Sequence, residues 1–263
     1  PDGYHNIETV FHRIDLFDEI GFAQADEIIV RSSSPDAPGG AANICHAAAT
    51  LLRHHLNIGT GVSIAITKNI PVGAGLGGGS ADAAVVLREL PVWWGRSVDA
   101  HTLRSLALKL GSDVPYFLGS GSALAKGRGE VLEYFSLDVP YTIVLCTPNF
   151  HISTAWAYQQ ILPDRGRTPL RLKELVTEGM RNIEVLGSGL RNSFEPAVFR
   201  AYPDIMEIKE EMMRGGGIFA LLSGSGSSVY GFFSRSTHAN DVARMLRARG
   251  NRVFLTHPHF SPG

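Results

Sequence analysis

The sequence predicts a two-domain α+β protein, and three observations carry that expectation. An alternating apolar run from Val62 to Thr67 leads through a glycine-rich stretch into a helix-like run from Ala81 to Arg88, the order of an α/β layer. Beyond Gly129 the character changes, and strands interspersed with two or three helices run to the end, as in an α+β sandwich. A length of 263 residues suits one large domain or two modest ones. The boundary is expected near Asp138, giving domains 1–138 and 139–263.

Taken in order, Ile7 to Ile14 alternates enough for a strand, and Glu27 to Arg31 reads as another. Ser32 to Gly40 is a turn cluster. Asn43 to Leu56 predicts a helix, with Ala47, Ala48, Leu51, Leu52 and His55 near helical spacing. After the glycine unit, a helix from about Val98 to Leu110 opens at Asp99 and ends at Gly111. Tyr141 to Cys146 is a buried strand, and Ser153 has the chemistry of an N-cap. A polar connection spans Pro163 to Pro169, and a helix covers Pro203 to Arg214. Strands Ile218 to Leu222 and Val229 to Phe233 flank a second glycine–serine turn, Ser223 to Ser228. A helix from Ala239 to Arg249 and a strand from Arg252 to Thr256 close the chain.

Composition excludes several classes. With 44% apolar and 19% charged residues the chain is an ordinary globular protein. A net charge of −1 leaves no broad basic face for nucleic acid. Two cysteines, Cys45 and Cys146, fit buried thiols in a reducing cytoplasm, the expected location, rather than a disulfide framework. No apolar run reaches the length of a membrane span, and no leader opens the chain. There is no His-Glu-x-x-His or Cys-x-x-Cys, so no protein-held metal is expected. A missing Gly-x-Ser-x-Gly elbow argues against a hydrolase.

The stretch from Lys68 to Asp82 holds the most chemistry, with five glycines and Ser80 between strand and helix. Glycine lets backbone N–H groups converge without Cβ clashes. The unpaired first-turn amides of a helix face an anion with the positive end of the dipole behind them. Ser80 sits where a hydroxyl reaches a phosphate oxygen or its metal ion. A nucleotide-phosphate site follows. Gly73-x-Gly75-x-x-Gly78 fits the letters of the dinucleotide pattern, but no second strand ending in an acidic residue follows at the required distance. No lysine follows the glycines, as a P-loop requires, and the loop runs into a helix, unlike that of protein kinases. A plain tight turn is the bland alternative, and it rarely needs so many glycines.

Four segments extend this reading: Asp2-Gly3-Tyr4-His5; the Pro71 to Ser80 loop; Gly111 to Phe117 leading to Gly127-Arg128-Gly129-Glu130; and Leu222 to Ser228. In identity and order they resemble the GHMP kinase superfamily, and within it the branch that phosphorylates diphosphocytidyl methylerythritol. Asn192-Ser193-Phe194-Glu195-Pro196 resembles that branch's Asn-Asp-Phe-Glu-Pro, with Ser193 replacing the aspartate. The resemblance implies a ribosomal-S5-like ATP-binding domain followed by a ferredoxin-like substrate domain. It implies a monomer or homodimer that moves a phosphoryl group from ATP to the acceptor's 2-hydroxyl in isoprenoid precursor synthesis, with Mg2+ held mainly through the ATP phosphates. It also implies an upstream strand, Ala-Lys-Ile/Leu-Asn-Leu, whose lysine is catalytic. The chain begins at Pro1, and truncation of that strand is expected.

Residue by residue, the resemblance makes Asp113 the catalytic group that orients the hydroxyl and accepts its proton. Its alternative role is to cap a short helix at Val114-Pro115, and both roles are compatible. Tyr4 and His5 are expected at the cytidine, with an exposed turn as the alternative. Lys68, Pro71, Gly73, Ala74, Gly75, Leu76, Gly77, Gly78, Gly79 and Ser80 are expected around ATP, with a solvated strand end as the alternative for Lys68. Asn43 is expected at the adenine, or else as an N-cap. Gly224, Ser225 and Gly226 resemble the third superfamily motif, which is expected to pack against the first loop and the phosphate site, with Gly224 and Ser225 at the substrate; a simple hairpin connection is the alternative. The rival readings are another GHMP kinase, of homoserine, mevalonate or galactose type, and a non-catalytic nucleotide-binding regulator.

Overall fold

The computed structural model describes residues 6–161 and 171–261. The chain divides into two compact units. The first comprises the N-terminal stretch through Phe11, Leu16–Val72 and Gly77–Tyr134; the second comprises Phe135–Gly263 with two short excursions, His12–Asp15 and Gly73–Leu76.

In chain order the first unit has strands β1 (Ile7–Phe11), β2 (Glu19–Ala23), β3 (Ile28–Ser32), β4 (Val62–Thr67), β5 (Ser122–Gly127) and β6 (Val131–Phe135), and helices α1 (Ile44–His55), α2 (Gly78–Trp93) and α3 (Ala100–Leu110). They form two three-stranded sheets, β1-β5-β6 and β2-β4-β3. In the second sheet, β4 pairs antiparallel with β2 and parallel with β3. Alternation in β4 buries Val62, Ile64 and Ile66 on one face. That face belongs to a core with Ala48, Ala49 and Leu52 of α1 and Ala83, Ala84, Val86, Leu87 and Leu90 of α2. Alanine at the facing positions lets the helices approach closely, while each buried leucine or isoleucine contributes about 1.5–3 kcal/mol. Asp99 caps α3 by accepting from Thr102 N at 2.9 Å, and Gly111 follows its last turn.

The second unit has strands β7 (Thr142–Thr147), β8 (Phe219–Leu222), β9 (Val229–Phe233) and β10 (Arg252–Thr256), and helices α4 (Thr154–Gln160), α5 (Leu172–Gly179), α6 (Ile183–Gly189), α7 (Glu195–Ala201), α8 (Pro203–Arg214) and α9 (Ser236–Ala248). Its sheet is antiparallel in the order β10-β7-β9-β8. Val144, Cys146, Ala220, Val229 and Phe233 pack with Ile205, Ile208 and Met212 of α8 and Val242, Ala243 and Leu246 of α9.

The helix at Pro203–Arg214 and the strands at Val229–Phe233 and Arg252–Thr256 lie where the pattern predicts them. The first strand ends at Phe11 rather than Ile14, because His12–Asp15 belongs to the second unit, where Asp15 N donates to Thr256 Oγ1 at 3.0 Å. Strands β2, β5 and β6 and helices α5, α6 and α7 escaped the pattern. The run Ser122-Ala-Leu-Ala-Lys-Gly127 holds good helix formers, and pairing with β1, Ile7 opposite Gly127 and Phe11 opposite Ala123, overrides that preference. The expected connection at Pro163 to Pro169 lies outside the described residues.

Cys45 and Cys146 are free and buried. Burial raises the Cys45 thiol pKa and pushes that of Cys146 up to about 12, which disfavours the thiolate in both.

Candidate active site

Between β4 and α2 the backbone alternates in handedness. Gly73, Gly75 and Gly77 have φ of 65°, 75° and 69°, while Ala74 and Leu76 between them do not have positive φ. Such alternation turns successive N–H groups toward one concave side. From Gly75 to Ser80 no backbone amide donates to a described residue; Ala81 N is the first to close a bond, on Gly77 O at 2.9 Å. Several orphan donors therefore lie next to the N-terminus of a 16-residue helix, a local arrangement suited to anionic oxygen.

Other segments hold the loop. Ser223 Oγ donates to Gly75 O at 2.9 Å, and Ser228 N donates to Ala74 O at 3.2 Å. A Cβ at Gly75 would press on the Ser223 carbonyl and stand 2.8 Å from that of Gly226. The Ser223 to Ser228 turn is thus both a hairpin connection between β8 and β9 and a buttress for the loop. Gly224 O accepts from Asn192 Nδ2 at 2.7 Å, and the Ser225 hydroxyl bonds that of Thr154 at 3.1 Å. Both residues, expected at the substrate, are engaged in shaping this turn. Asn192 Nδ2 also donates to Leu222 O at 2.9 Å, and Glu195 accepts from Leu222 N at 3.0 Å. That explains the spacing of the Asn-x-Phe-Glu motif, and Ser193 is exposed within it.

Two residues expected at the nucleotide have other partners. Asn43 caps α1: its Oδ1 accepts from Cys45 N at 2.9 Å and its Nδ2 donates to Pro38 O at 2.7 Å. Lys68 Nζ is buried against Asp18 and, at 2.9 Å, Asp82. Burial opposes its charge, but the hydrogen bonds to Asp18 and Asp82 outweigh it and raise its pKa. Asp18 further accepts from Asn69 N at 2.6 Å and Ile70 N at 2.9 Å, pinning the entrance to the loop. Nothing near Asp18 in the sequence signals this role.

Replacing Lys68 by methionine is expected to destabilise the protein by about 3–5 kcal/mol, because two buried carboxylates lose their counter-ion; urea unfolding measures it. Burial, together with Asp18, raises the pKa of Asp82 to about 7, against the pull of Lys68. The stability tied to a raised carboxylate is fully present below its unfolded pKa and lost as pH rises through the folded one. The wild-type unfolding free energy should therefore carry a falling component toward and through pH 7 that Asp82→Asn removes.

Asp113 opens the 3-10 turn Val114–Leu118, with Pro115 in its first turn. Its side chain makes no capping bond and no hydrogen bond to a described residue. Burial raises its pKa. The Gly127 to Glu130 turn lies beside it, since a Cβ at Gly129 would stand 3.4 Å from its Oδ1. Tyr134 OH donates to Tyr116 O at 2.9 Å, and the Phe117 ring abuts Gly77, where a Cβ would be 3.1 Å from Cζ. The carboxylate thus stands unspent on a turn braced against the start of α2, and burial makes it more basic than a free aspartate.

Tyr4 and His5 lie outside the described residues. Among the described residues, no three His, Cys, Asp or Glu side chains are placed to hold a metal, and no helix is long and apolar enough to cross a membrane.

The family model for the GHMP kinases N terminal domain matches residues 43–121, and that for GHMP kinases C terminal matches 170–252. A 4-diphosphocytidyl-2-C-methyl-D-erythritol kinase of Chlorobium limicola is 45% identical over 99% of this chain and 91% of its own. The Chlorobium phaeobacteroides kinase of the same name is 44% identical over the same shares. A crystal structure of 4-(cytidine 5'-diphospho)-2C-methyl-D-erythritol kinase superposes with a TM-score of 0.79 at 33% identity, covering 97% of this chain and 91% of that one. Homoserine kinase from Cytophaga hutchinsonii shares the fold, with a TM-score of 0.70 at 21% identity over 96% and 95%. The orphan amides of the glycine loop, the unspent Asp113 and these likenesses converge: the chain belongs to the 4-diphosphocytidyl-2-C-methyl-D-erythritol kinase family of the GHMP kinases.

Proposed function

We propose that this chain transfers the γ-phosphoryl group of ATP to the 2-hydroxyl of 4-diphosphocytidyl-2-C-methyl-D-erythritol, a step of isoprenoid precursor synthesis. The single observation that carries the reading is the run of unpartnered amides from Gly75 to Ser80 at the start of α2. Those amides hold the phosphate chain, with charge-assisted bonds of roughly 1.5–3 kcal/mol each. Asp113 accepts the hydroxyl proton as the oxygen bonds to the γ-phosphorus; the bond to the bridging oxygen breaks and ADP leaves. Mg2+ fits as an ion carried by the phosphates, with the Ser80 hydroxyl the group of this loop suited to it, and it would neutralise charge developing on them. The remaining rate comes from positioning and fixed dipoles. Residues 1–138 form the ATP-binding domain and 139–263 the substrate domain in this reading.

Coupled ADP release with Mg-ATP tests it, comparing the diphosphocytidyl acceptor with homoserine, mevalonate and galactose. Turnover confined to the cytidyl acceptor is expected. Preference for another acceptor would reassign the substrate, and nucleotide binding with no turnover on any acceptor would make the protein a regulator. In this reading His5 contacts the cytidine edge, so His5→Ala should raise the acceptor KM by about fivefold or more with little change for ATP. An equal change in both would remove His5 from the cytidine site.

A further inference from the structure

The segment joining β7 to α4 carries no motif, yet it is tied to both glycine turns of the second unit. His151 Nδ1 lies 2.6 Å from the carbonyl oxygen of Gly73. A carbonyl only accepts, so Nδ1 carries the hydrogen and donates it. The ring also lies over the Gly73 Cα, where a Cβ would stand 2.6 Å from Cε1. On either side of His151 the segment is anchored. Phe150 O accepts from Ser227 Oγ at 2.9 Å, Ile152 is fully buried, and Thr154 Oγ1 bonds Ser225 Oγ at 3.1 Å. The turn that receives these bonds is the one that grips Ala74 and Gly75.

We propose that His151 is a positioning residue for the phosphate-binding loop. The peptide unit is planar and trans, so the Gly73 carbonyl and the Ala74 N–H point in opposite directions. Pinning the carbonyl on His151 therefore fixes the direction of the Ala74 amide and of the chain entering the run from Gly75 to Ser80, while Ile152 in the core keeps the imidazole from drifting. This assignment rests on the kinase reading for the identity of the ligand, but not for the geometry.

Three variants separate the hydrogen bond from packing. His151→Ala removes both, His151→Phe keeps a ring over Gly73 without a donor, and His151→Asn restores a donor at the same δ position, two bonds from Cβ. Titration with ADP needs no acceptor and no turnover. The expected result is an ADP Kd about three- to tenfold weaker in the alanine and phenylalanine variants and near wild type in the asparagine variant. The ATP KM should follow the same order while the acceptor KM stays flat, with all melting temperatures within a few degrees of wild type. Three unchanged Kd values would overturn the proposal, as would an asparagine variant as weak as alanine or an acceptor KM that moves with that of ATP. Should wild type bind ADP yet turn over no acceptor, the kinase reading fails while the ADP series still decides the role of His151.

Discussion

Asp113→Asn is expected to cut turnover by about 10²–10⁴-fold and to leave ATP affinity nearly intact. The carboxylate is half-buried, makes no capping bond and lies beside the Gly127 to Glu130 turn. Asparagine matches its shape but accepts no proton, so the loss reports the proton transfer rather than a collapsed site. The pH dependence follows from the direction of its shift. Burial raises the pKa, and the base works only when ionised, so the wild-type rate should fall as pH drops through a value higher than that of a free aspartate. The variant should lack that limb. Stability moves the other way. A raised folded pKa means that stability present below the unfolded value is lost as pH rises through the folded one. The neutral amide escapes this loss, and the variant should melt higher than wild type at neutral pH, with the gain fading in acid. Turnover within a few-fold of wild type would remove Asp113 from the reaction.

Gly75→Ala should weaken ATP binding by 100-fold or more, and it is the most damaging single methyl group expected in the loop. A left-handed conformation costs an L-residue roughly 1–2 kcal/mol, and the φ here is 75°. The new Cβ also has no space, because the carbonyls of Ser223 and Gly226 close over that position. Overpacking adds about 1–3 kcal/mol, and relief requires the loop to leave Ser223 Oγ. Adding the two gives several kcal/mol directed at the conformation that aims the amides. Gly187→Ala, a helical position with open space around it, is the matched control and should be silent. Isothermal titration with a non-hydrolysable ATP analogue measures the difference; equal affinity in the two variants would dissociate the Gly75 geometry from nucleotide binding.

The features legible in the sequence are those whose physics is local. Asn43, Asp99 and Ser153 cap helices through bonds that span two or three residues, so their position before a helical pattern suffices to place them. Alternation in Val62–Thr67 and the helical stripe of Pro203–Arg214 likewise reveal which face is buried. Short segments failed for the opposite reason. β2 mixes strand formers with Glu, Gly and Ala, β5 holds helix formers, and pairing with β4 and β1 settles both as strands. Asn43 and Lys68 show the limit for function as well. Each carries groups suited to a nucleotide, yet the first is committed to the cap of α1 and the second to two buried carboxylates.

The sequence and its family resemblance identify a two-domain α+β kinase, and they motivate the proposals of a phosphate-binding glycine loop and of Asp113 as base. Both motifs are contiguous, and backbone handedness and helix-end amides follow from neighbouring residues. Only the tertiary structure decided what holds them. Asp18 meets Lys68 across 50 positions and Ser223 meets Gly75 across 148. Asn192 reaches Gly224 across 32. Such contacts leave no periodic trace, because chain folding rather than local preference brings the partners within hydrogen-bond range.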